Sequence, residues 1–365
     1  MTKLTHLRRQ AHLPLLIALS AIGSLVGGCG GRGNGLSGQE FLYLATGTNV
    51  VQFNIASSTG ILTELIPNTA PSTNAVAIAT TNDSRFAYAV NKSAATVSQY
   101  QINGDGTLTA LNPATAGTGT APVAVAVTPA HAFLYVLNHG DNTIGEYAVA
   151  GNGTLSPLNP ATVGVAADGD SLVITPNGSY LYATSYSTGL VSGYSIGVNG
   201  QLTALGTTAV AQPQGPAVSP NGAYLYVPSS TLGVAEFSIG ADGSLTALAP
   251  ADVSTGGAGN DTAAVTPNGA FAYVGVFNGG FPGSPVAQFS VGAGGVLSAL
   301  APPTAAAGNA PYNVIVEQSG KYAYVANQND GTVSLFSIGA DGTLTALATP
   351  TINPNGALQM ALAKR

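Results

Sequence analysis

The chain has 365 residues, of which 45% are hydrophobic and only 7% are charged. Intrinsic disorder requires low hydrophobicity and high net charge, so this composition excludes a disordered chain. After residue 28, six Lys and Arg face fifteen Asp and Glu, and this net charge of −9 excludes nucleic acid as a partner because phosphates would be repelled.

The first segment in chain order is a targeting signal. A basic start precedes an apolar stretch, residues 13–28, that is shorter than a typical membrane span. The stretch ends in the letters VGGC, which resemble the lipobox of bacterial lipoproteins, where the cysteine is acylated. We therefore interpret residues 1–28 as a lipoprotein signal peptide and residues 29–40 as the acylated Cys29 with a flexible tether.

The alternative is an ordinary signal peptide with an incidental cysteine. Cys29 is the only Cys in the chain, and an unmodified thiol is a liability in an oxidising compartment. Residue 30 is Gly, not the Asp that favours inner-membrane retention. We therefore expect a monomer in the cell envelope, periplasmic or surface-exposed, held by outer-membrane lipid through Cys29.

A repeat follows the tether. An aromatic-x-Tyr triplet recurs every 44–51 residues, starting at Phe41, Phe86, Phe133, Tyr180, Tyr224, Phe271 and Tyr322. Between triplets lie short β-rich runs separated by DG and NG turns, which are strong hairpin signals because Gly tolerates a positive φ. Each unit therefore predicts four short antiparallel strands, which we name A to D from the axis outward.

Seven four-stranded units of this period predict an all-β fold, a seven-bladed β-propeller over residues 41–365. The first unit begins with strand B and has no preceding strand A. The C-terminal segment NGALQMALAKR has the pattern of a surplus strand A. We therefore expect a last strand near residues 357–363 to complete the first blade and remove the exposed edges.

The units FLYVLNHGDNTIGEYAVAGNGTLSPL and YAYVANQNDGTVSLFSIGADGTLTAL resemble the YVTN repeats of the lactonase-type propeller family, which includes 6-phosphogluconolactonase. The resemblance extends over residues 41–365. It implies the propeller fold and suggests lactone hydrolysis with His, Arg and Glu side chains at the channel mouth. That set is nearly absent here, since Lys92 is the only mature cation expected in a B–C loop. The scaffold also hosts unrelated functions, so enzymatic activity stays an open question.

Strand direction alternates within a blade, so the variable B–C and D–A loops share one face, where binding chemistry is expected. The first positions of strands A should surround the channel mouth on that face. Two carboxylates there are weak catalytic candidates, because they can act as a general base or accept hydrogen bonds; equally, they can be solvated strand caps. The aligned residues are Val76, Val123, Asp170, Gln214, Asp261 and Tyr312.

Four aromatic residues remain after blade packing is accounted for: Tyr186, Phe277, Phe281 and Tyr312. All four map to the same loop face, where they can stack on a sugar ring or anchor a protein. Alternatively, they fold inward and cover their own loops. His139, in a B–C loop, is a third weak catalytic candidate, although a lone loop His is more often incidental.

Strand C carries Gln or Glu at one repeated position, which predicts a structural hydrogen bond between blades: Gln52, Gln99, Glu146, Glu236 and Gln288. The sequence contains no metal-ligand cluster and no phosphate-binding loop, so no metal and no cofactor are predicted. The sequence leaves two main functions, of which the first is the preferred interpretation and the second is the alternative. The first is a binding module for a glycan or an envelope protein through the loop face. The second is a hydrolase for a neutral lactone at the channel mouth. A purely structural envelope component is a third possibility.

Overall fold

The computed structural model describes residues 38–231, 233–257, 259–277 and 283–365. These residues form 28 strands arranged in seven four-stranded antiparallel sheets. The seven-bladed propeller predicted from the repeat is therefore confirmed. Within the described residues, no helix has the length and apolar content that crossing a bilayer requires.

The strands follow one another as short β segments separated by turns. In chain order they are β1 (Glu40–Ala45), β2 (Val50–Ile55), β3 (Leu62–Ala70), β4 (Ala75–Thr80), β5 (Phe86–Asn91), β6 (Thr96–Ile102), β7 (Leu108–Gly117), β8 (Pro122–Val127), β9 (Phe133–Asn138), β10 (Thr143–Val149), β11 (Leu155–Gly164), β12 (Gly169–Ile174), β13 (Tyr180–Ser185), β14 (Leu190–Ile196), β15 (Leu202–Ala209), β16 (Ala217–Val218), β17 (Tyr224–Ser229), β18 (Gly233–Ile239), β19 (Leu245–Val253), β20 (Asn260–Val265), β21 (Phe271–Val276), β22 (Pro285–Val291), β23 (Leu297–Ala306), β24 (Pro311–Val316), β25 (Tyr322–Asn327), β26 (Thr332–Ile338), β27 (Leu344–Ile352) and β28 (Met360–Lys364).

Blade 1 combines the two ends of the described chain. Its order is β28-β1-β2-β3, and blades 2 to 7 each take four consecutive strands, from β4 to β27. Leu42 of β1 lies opposite Leu362 of β28 in an antiparallel register. The expected ring closure is confirmed, with the last strand a few residues further along than predicted. Gly38 and Gln39 hydrogen-bond to Arg365, so residues 38–40, assigned to the tether from sequence, are part of this blade.

The aromatic-x-Tyr triplets join each blade to the next. The triplet tyrosine donates its hydroxyl proton to the carbonyl of a turn glycine in the following blade, at 2.7–2.8 Å. The first aromatic ring of the triplet packs directly against the same glycine. Because the last pair links blade 7 to blade 1, these bonds form a closed ring: Tyr43–Gly106, Tyr88–Gly153, Tyr135–Gly200, Tyr182–Gly243, Tyr226–Gly295, Tyr273–Gly342 and Tyr324–Gly60.

The hydrophobic core is divided among the seven blade-to-blade contacts. One cluster, for example, combines Phe41 and Tyr43 of blade 1 with Ile78 and Tyr100 of blade 2. Six further clusters repeat this arrangement around the ring. Burial of apolar side chains between sheets, the main stabilising term, therefore holds the ring together and fixes where the inner strands point.

The strand C position predicted to link blades does so. The side-chain oxygen accepts a hydrogen bond from the first backbone N–H of strand D in the next blade, at 2.5–2.9 Å. The five bonds are Gln52–Leu108, Gln99–Leu155, Glu146–Leu202, Glu236–Leu297 and Gln288–Leu344.

Candidate functional site

The inner strands of five blades begin with a β-bulge, and these bulges place side chains of the site. In blade 4, Gly169 pairs with Ser185 and Ser171 pairs with Thr184, so Asp170 is an extra residue without a partner. Bulges re-aim side chains and are common beside functional sites. The same one-residue shift includes Val76, Val123, Asp261 and Tyr312, and Gln214 lies between the bridge at Pro213 and the short strand β16.

These six residues line one cavity of about 180 Å³ at the channel mouth. Gln359, which precedes β28, supplies the contribution of blade 1, so each blade provides at least one side chain. The structure thus brings together Asp170, Gln214, Asp261 and Tyr312. A cavity of roughly 150 Å³ takes up one benzene ring, so this one has room for a single small ring.

The wall of the cavity is held by hydrogen bonds between neighbouring blades. The Gly215 N–H donates to the Asp261 carbonyl at 2.8 Å, and the Ala263 N–H donates to the Gly215 carbonyl at 3.0 Å. Thr262 Oγ1 donates to the Tyr312 carbonyl at 3.1 Å and accepts from the Val314 N–H at 3.0 Å. The bulge residues are therefore carried on a rigid ring.

Sequence reasoning did not single out the side chains that brace this ring. Gln359 Oε1 accepts from the Ile78 N–H, and Asn313 Oδ1 accepts from the Met360 N–H, both at 3.0 Å. One signal was available: Thr262 and Asn313 are polar residues at the first position after the bulge of an otherwise apolar strand.

Asp170 is a half-buried carboxyl whose surroundings disfavour its ionised form. Its Oδ2 accepts a hydrogen bond from the Tyr186 backbone N–H at 2.8 Å. Burial raises the pKa of Asp170 to about 6, and the nearby Asp168 carboxylate raises it further, while the Tyr186 bond, His139 and Lys92 oppose the rise. Asp170 is thus ionised near neutral pH and protonated in mild acid.

Asp261 is the second carboxyl of the cavity. Within the part of the chain that the structure describes, its carboxylate has no hydrogen-bond partner, and burial raises its pKa to about 7. Tyr312 borders the open side with 37% of its surface exposed. Desolvation and the charges of Asp261 and Asp170 raise the pKa of the Tyr312 phenol to about 12, so it stays a hydrogen-bond donor.

The cavity is divided into a polar and an apolar arc. Blades 4 to 7 supply Asp170, Gln214, Asp261 and Tyr312, whereas blades 2 and 3 supply Val76 and Val123, with the small Ala124 beside them. Small-molecule sites typically combine an apolar wall with a few convergent polar groups. This arrangement suits a small ring with oxygen atoms on one edge and an apolar face.

The other predicted site residues lie outside the cavity. His139 Nδ1 lies 3.0 Å from the Gly169 carbonyl oxygen and Nε2 lies 3.3 Å from Asp168 Oδ1, so the ring sits on the blade 3–blade 4 junction next to Asp170. Tyr186 is half-buried and contributes its backbone N–H to Asp170.

Phe277, in the long loop of blade 6, packs against the blade itself. Phe277 is half-buried against Gly259, with its backbone N–H donating to the Gly259 carbonyl at 2.7 Å. Phe281 and Cys29, the residue predicted to be acylated, lie outside the described residues. In the described part of the chain, no group of three or more His, Cys, Asp or Glu side chains is arranged to hold a metal ion.

Solved structures similar to this chain share its architecture. A candidate 6-phosphogluconolactonase from Bacteroides fragilis is 22% identical, with 91% of this chain and 99% of that chain covered and a TM-score of 0.76. A candidate 6-phosphogluconolactonase from Bacteroides uniformis is 21% identical, with 89% and 99% covered and a TM-score of 0.75. The periplasmic gluconolactonase PpgL of Pseudomonas aeruginosa is 17% identical, with 89% and 99% covered and a TM-score of 0.73.

No curated protein matches the chain. The family model for lactonases with a seven-bladed β-propeller matches residues 41–358, which include all seven triplets and every bulge residue of the cavity. The chain therefore belongs to the lactonase family of seven-bladed β-propellers.

Proposed function

We propose that this protein hydrolyses a small, uncharged lactone in the cavity at the channel mouth. The observation that carries the proposal is Asp261, a carboxyl without a partner in the described residues and with a pKa near 7, in the cavity of a lactonase-family propeller. A general base works best when its pKa lies near the operating pH. Asp261 meets that requirement.

The proposed reaction uses three side chains of the polar arc. Ionised Asp261 takes a proton from water as the water oxygen bonds to the lactone carbonyl carbon. The Tyr312 hydroxyl and the Gln214 amide are hydrogen-bond donors for the resulting oxyanion. When the ring C–O bond breaks, the leaving oxygen takes the proton from Asp261. The product is a hydroxy acid, which ionises and releases one proton to solvent.

The charge of the cavity supports an uncharged substrate. Among the described residues that line it, none is Lys, Arg or His, whereas two, Asp170 and Asp261, carry a carboxyl. A phosphorylated lactone requires cationic partners, which recognise phosphate through charge-assisted hydrogen bonds. A neutral sugar lactone meets this cavity without repulsion, and its size matches the space for one small ring.

Turnover of lactones by the full-length protein tests the proposal. We expect acid release from δ-gluconolactone and loss of about a hundredfold or more in kcat for Asp261→Asn, since the general base is removed. The rate of the wild type should rise with pH through about 7 as Asp261 ionises. Asp252→Asn, an exposed acid on β19, is the matched control and should retain full activity. Lack of turnover on all uncharged lactones, or an unimpaired Asp261→Asn, would refute the proposal.

A binding module for a glycan or an envelope protein is the second candidate. The exposed ring of Tyr312 beside hydrogen-bonding Asp170 and Gln214 favours it, because aromatic rings stack on sugars. Under this hypothesis we expect saturable binding of a sugar without hydrolysis, and we expect Tyr312→Ala to abolish the binding. Product formation in the same samples decides for the hydrolase.

We also propose that the propeller is anchored to the outer membrane through acylated Cys29. The support is the basic and apolar start of the chain and its VGGC motif. We expect Cys29→Ser to abolish incorporation of labelled palmitate and to move the protein from the membrane fraction to the soluble envelope fraction. A Cys29→Ser protein that stays acylated and membrane-bound contradicts the anchor.

A further inference from the structure

The ionisable side chains that line the cavity are two carboxyls and one phenol. Asp170 and Asp261 line it on blades 4 and 6, and Tyr312 lines it on blade 7, where both carboxylates raise the pKa of its phenol. Lys92 is exposed in the B–C loop of blade 2 and acts on Asp170 only as a neighbouring charge. An anion in this space therefore meets two carboxyls and no lining cation among the described residues.

Lactone hydrolysis changes the sign of this interaction. One lactone and one water give one hydroxy carboxylate and one proton, so an uncharged substrate becomes an anion in place. Like charges a few ångströms apart repel, and the repulsion is strong where water is partly excluded. A protonated carboxyl, in contrast, donates a hydrogen bond to a carboxylate and holds it.

We infer that Asp170 and Asp261 act as a pH-dependent product gate, which expels the carboxylate product when both are ionised and retains it when they are protonated. The inference rests on the proposed function for the identity of the product. It assigns Asp170 a role that hydrolysis itself does not require. Because the reaction releases protons, acidification near the protein would slow its own product release.

The surroundings of both carboxyls determine where the gate operates. Asp170 is faced by Asp168, His139, Lys92 and the Tyr186 N–H, and Asp261 by Tyr312. The pKa of Asp170 is raised to about 6 and that of Asp261 to about 7. Both carboxyls therefore change from protonated to ionised between mildly acidic and mildly alkaline pH. The affinity for the product should fall over that interval.

Calorimetric titration of D-gluconate into the full-length protein tests the gate directly and needs no turnover. We expect the Kd of the wild type to weaken by about tenfold or more between about pH 5.5 and about pH 8.5, as the two carboxyls ionise. Asp170→Asn should bind gluconate about fivefold or more tightly than the wild type at the higher pH. In Asp170→Asn/Asp261→Asn the pH dependence should disappear.

Asp252→Asn removes an equal charge from the exposed outer strand β19 and should bind gluconate like the wild type. Wild-type affinity that is equal at both pH values, the absence of binding at the lower pH, or pH dependence that persists in the double variant would each overturn the gate. If the double variant does not fold, the single variants decide: each should lose part of the pH dependence, and a pH dependence as large as that of the wild type in both would overturn the gate. pH-dependent gluconate binding together with absent lactone turnover would refute the hydrolase but not the charge gate.

Discussion

Ionisation of the two buried carboxyls at the strand C position, Glu146 and Glu236, opposes folding. Glu236 and Glu146 are almost fully buried, and burial raises the pKa of Glu236 to about 7. In blades 1, 2 and 6 the equivalent Gln also donates its amide to a proline carbonyl of its own strand D, at 3.1–3.2 Å. A carboxylate cannot donate, and Glu236 Oε2 has no partner in the described chain.

Glu236→Gln should therefore stabilise the protein. Pro250 lies 14 residues after Glu236, as Pro302 lies 14 residues after Gln288, so the new amide has a carbonyl to reach. We expect a gain of about 1–3 kcal/mol in the free energy of unfolding at about pH 8, measured by urea denaturation. At about pH 5 the gain should shrink, because protonated Glu236 can donate as well. The reciprocal Gln288→Glu should lose stability at about pH 8, and a neutral or destabilising Glu236→Gln would contradict this account.

At the scale of the strand and turn, the contact between a turn glycine and the triplet of the preceding blade is the repeated joint. Gly106 has a φ of +85°, and a Cβ there would lie 2.2 Å from the Phe41 ring. Gly104, two residues earlier in the same turn, has no atom within 4 Å of an added Cβ. Glycine is thus required at position 106 and optional at position 104.

Gly106→Ala should consequently destabilise the protein by about 2–4 kcal/mol, because it combines left-handed backbone strain with a clash against a buried ring. Gly104→Ala should change the free energy of unfolding by less than about 0.5 kcal/mol. Thermal unfolding of both variants measures the difference. Equal effects of the two substitutions would mean that the aromatic contact does not join the blades.

At the scale of the whole molecule, burial raises the pKa of five buried or half-buried carboxyls: Glu40, Glu146, Asp170, Glu236 and Asp261. Burial is the main cause for each, and the values are about 7 for Glu40, Glu236 and Asp261 and about 6 for Asp170. Glu40 lies beside Glu317 at the junction of blades 7 and 1, where the second carboxylate adds to the rise. The folded state therefore binds more protons than the unfolded state between about pH 4 and about pH 7.

This difference predicts that the protein is more stable in mild acid than in mild alkali. The stabilisation from these groups is fully present below the unfolded pKa of about 4 and is lost as the pH rises through about 7. We expect Tm to fall by about 5 °C or more between about pH 5 and about pH 8. Calorimetric scans at constant ionic strength test it, and a Tm that rises over this interval would contradict the carboxyl environments described above.

Much of the fold and part of the site could be predicted from sequence, because both repeat. The triplets locate every strand B, and their partner glycines locate the C–D turns. Alignment of the repeats also places Asp170, Gln214, Asp261 and Tyr312 at one level of the ring. The positions of Tyr186, Phe277 and His139 could not be derived in this way, since each lies in a loop without a counterpart in other blades.

The blade number, the closure of the ring by the C-terminal strand and the level at which the cavity forms can all be inferred from the amino-acid sequence. These features follow from short-range periodicity and turn chemistry, which act on residues near one another in the chain. Which polar side chains share the cavity, and what their pKa values are, follows from the packing of the seven blades. Burial, bulge geometry and the charges of other blades depend on residues that are tens to hundreds of positions apart in the chain, so they appear only when the ring is closed.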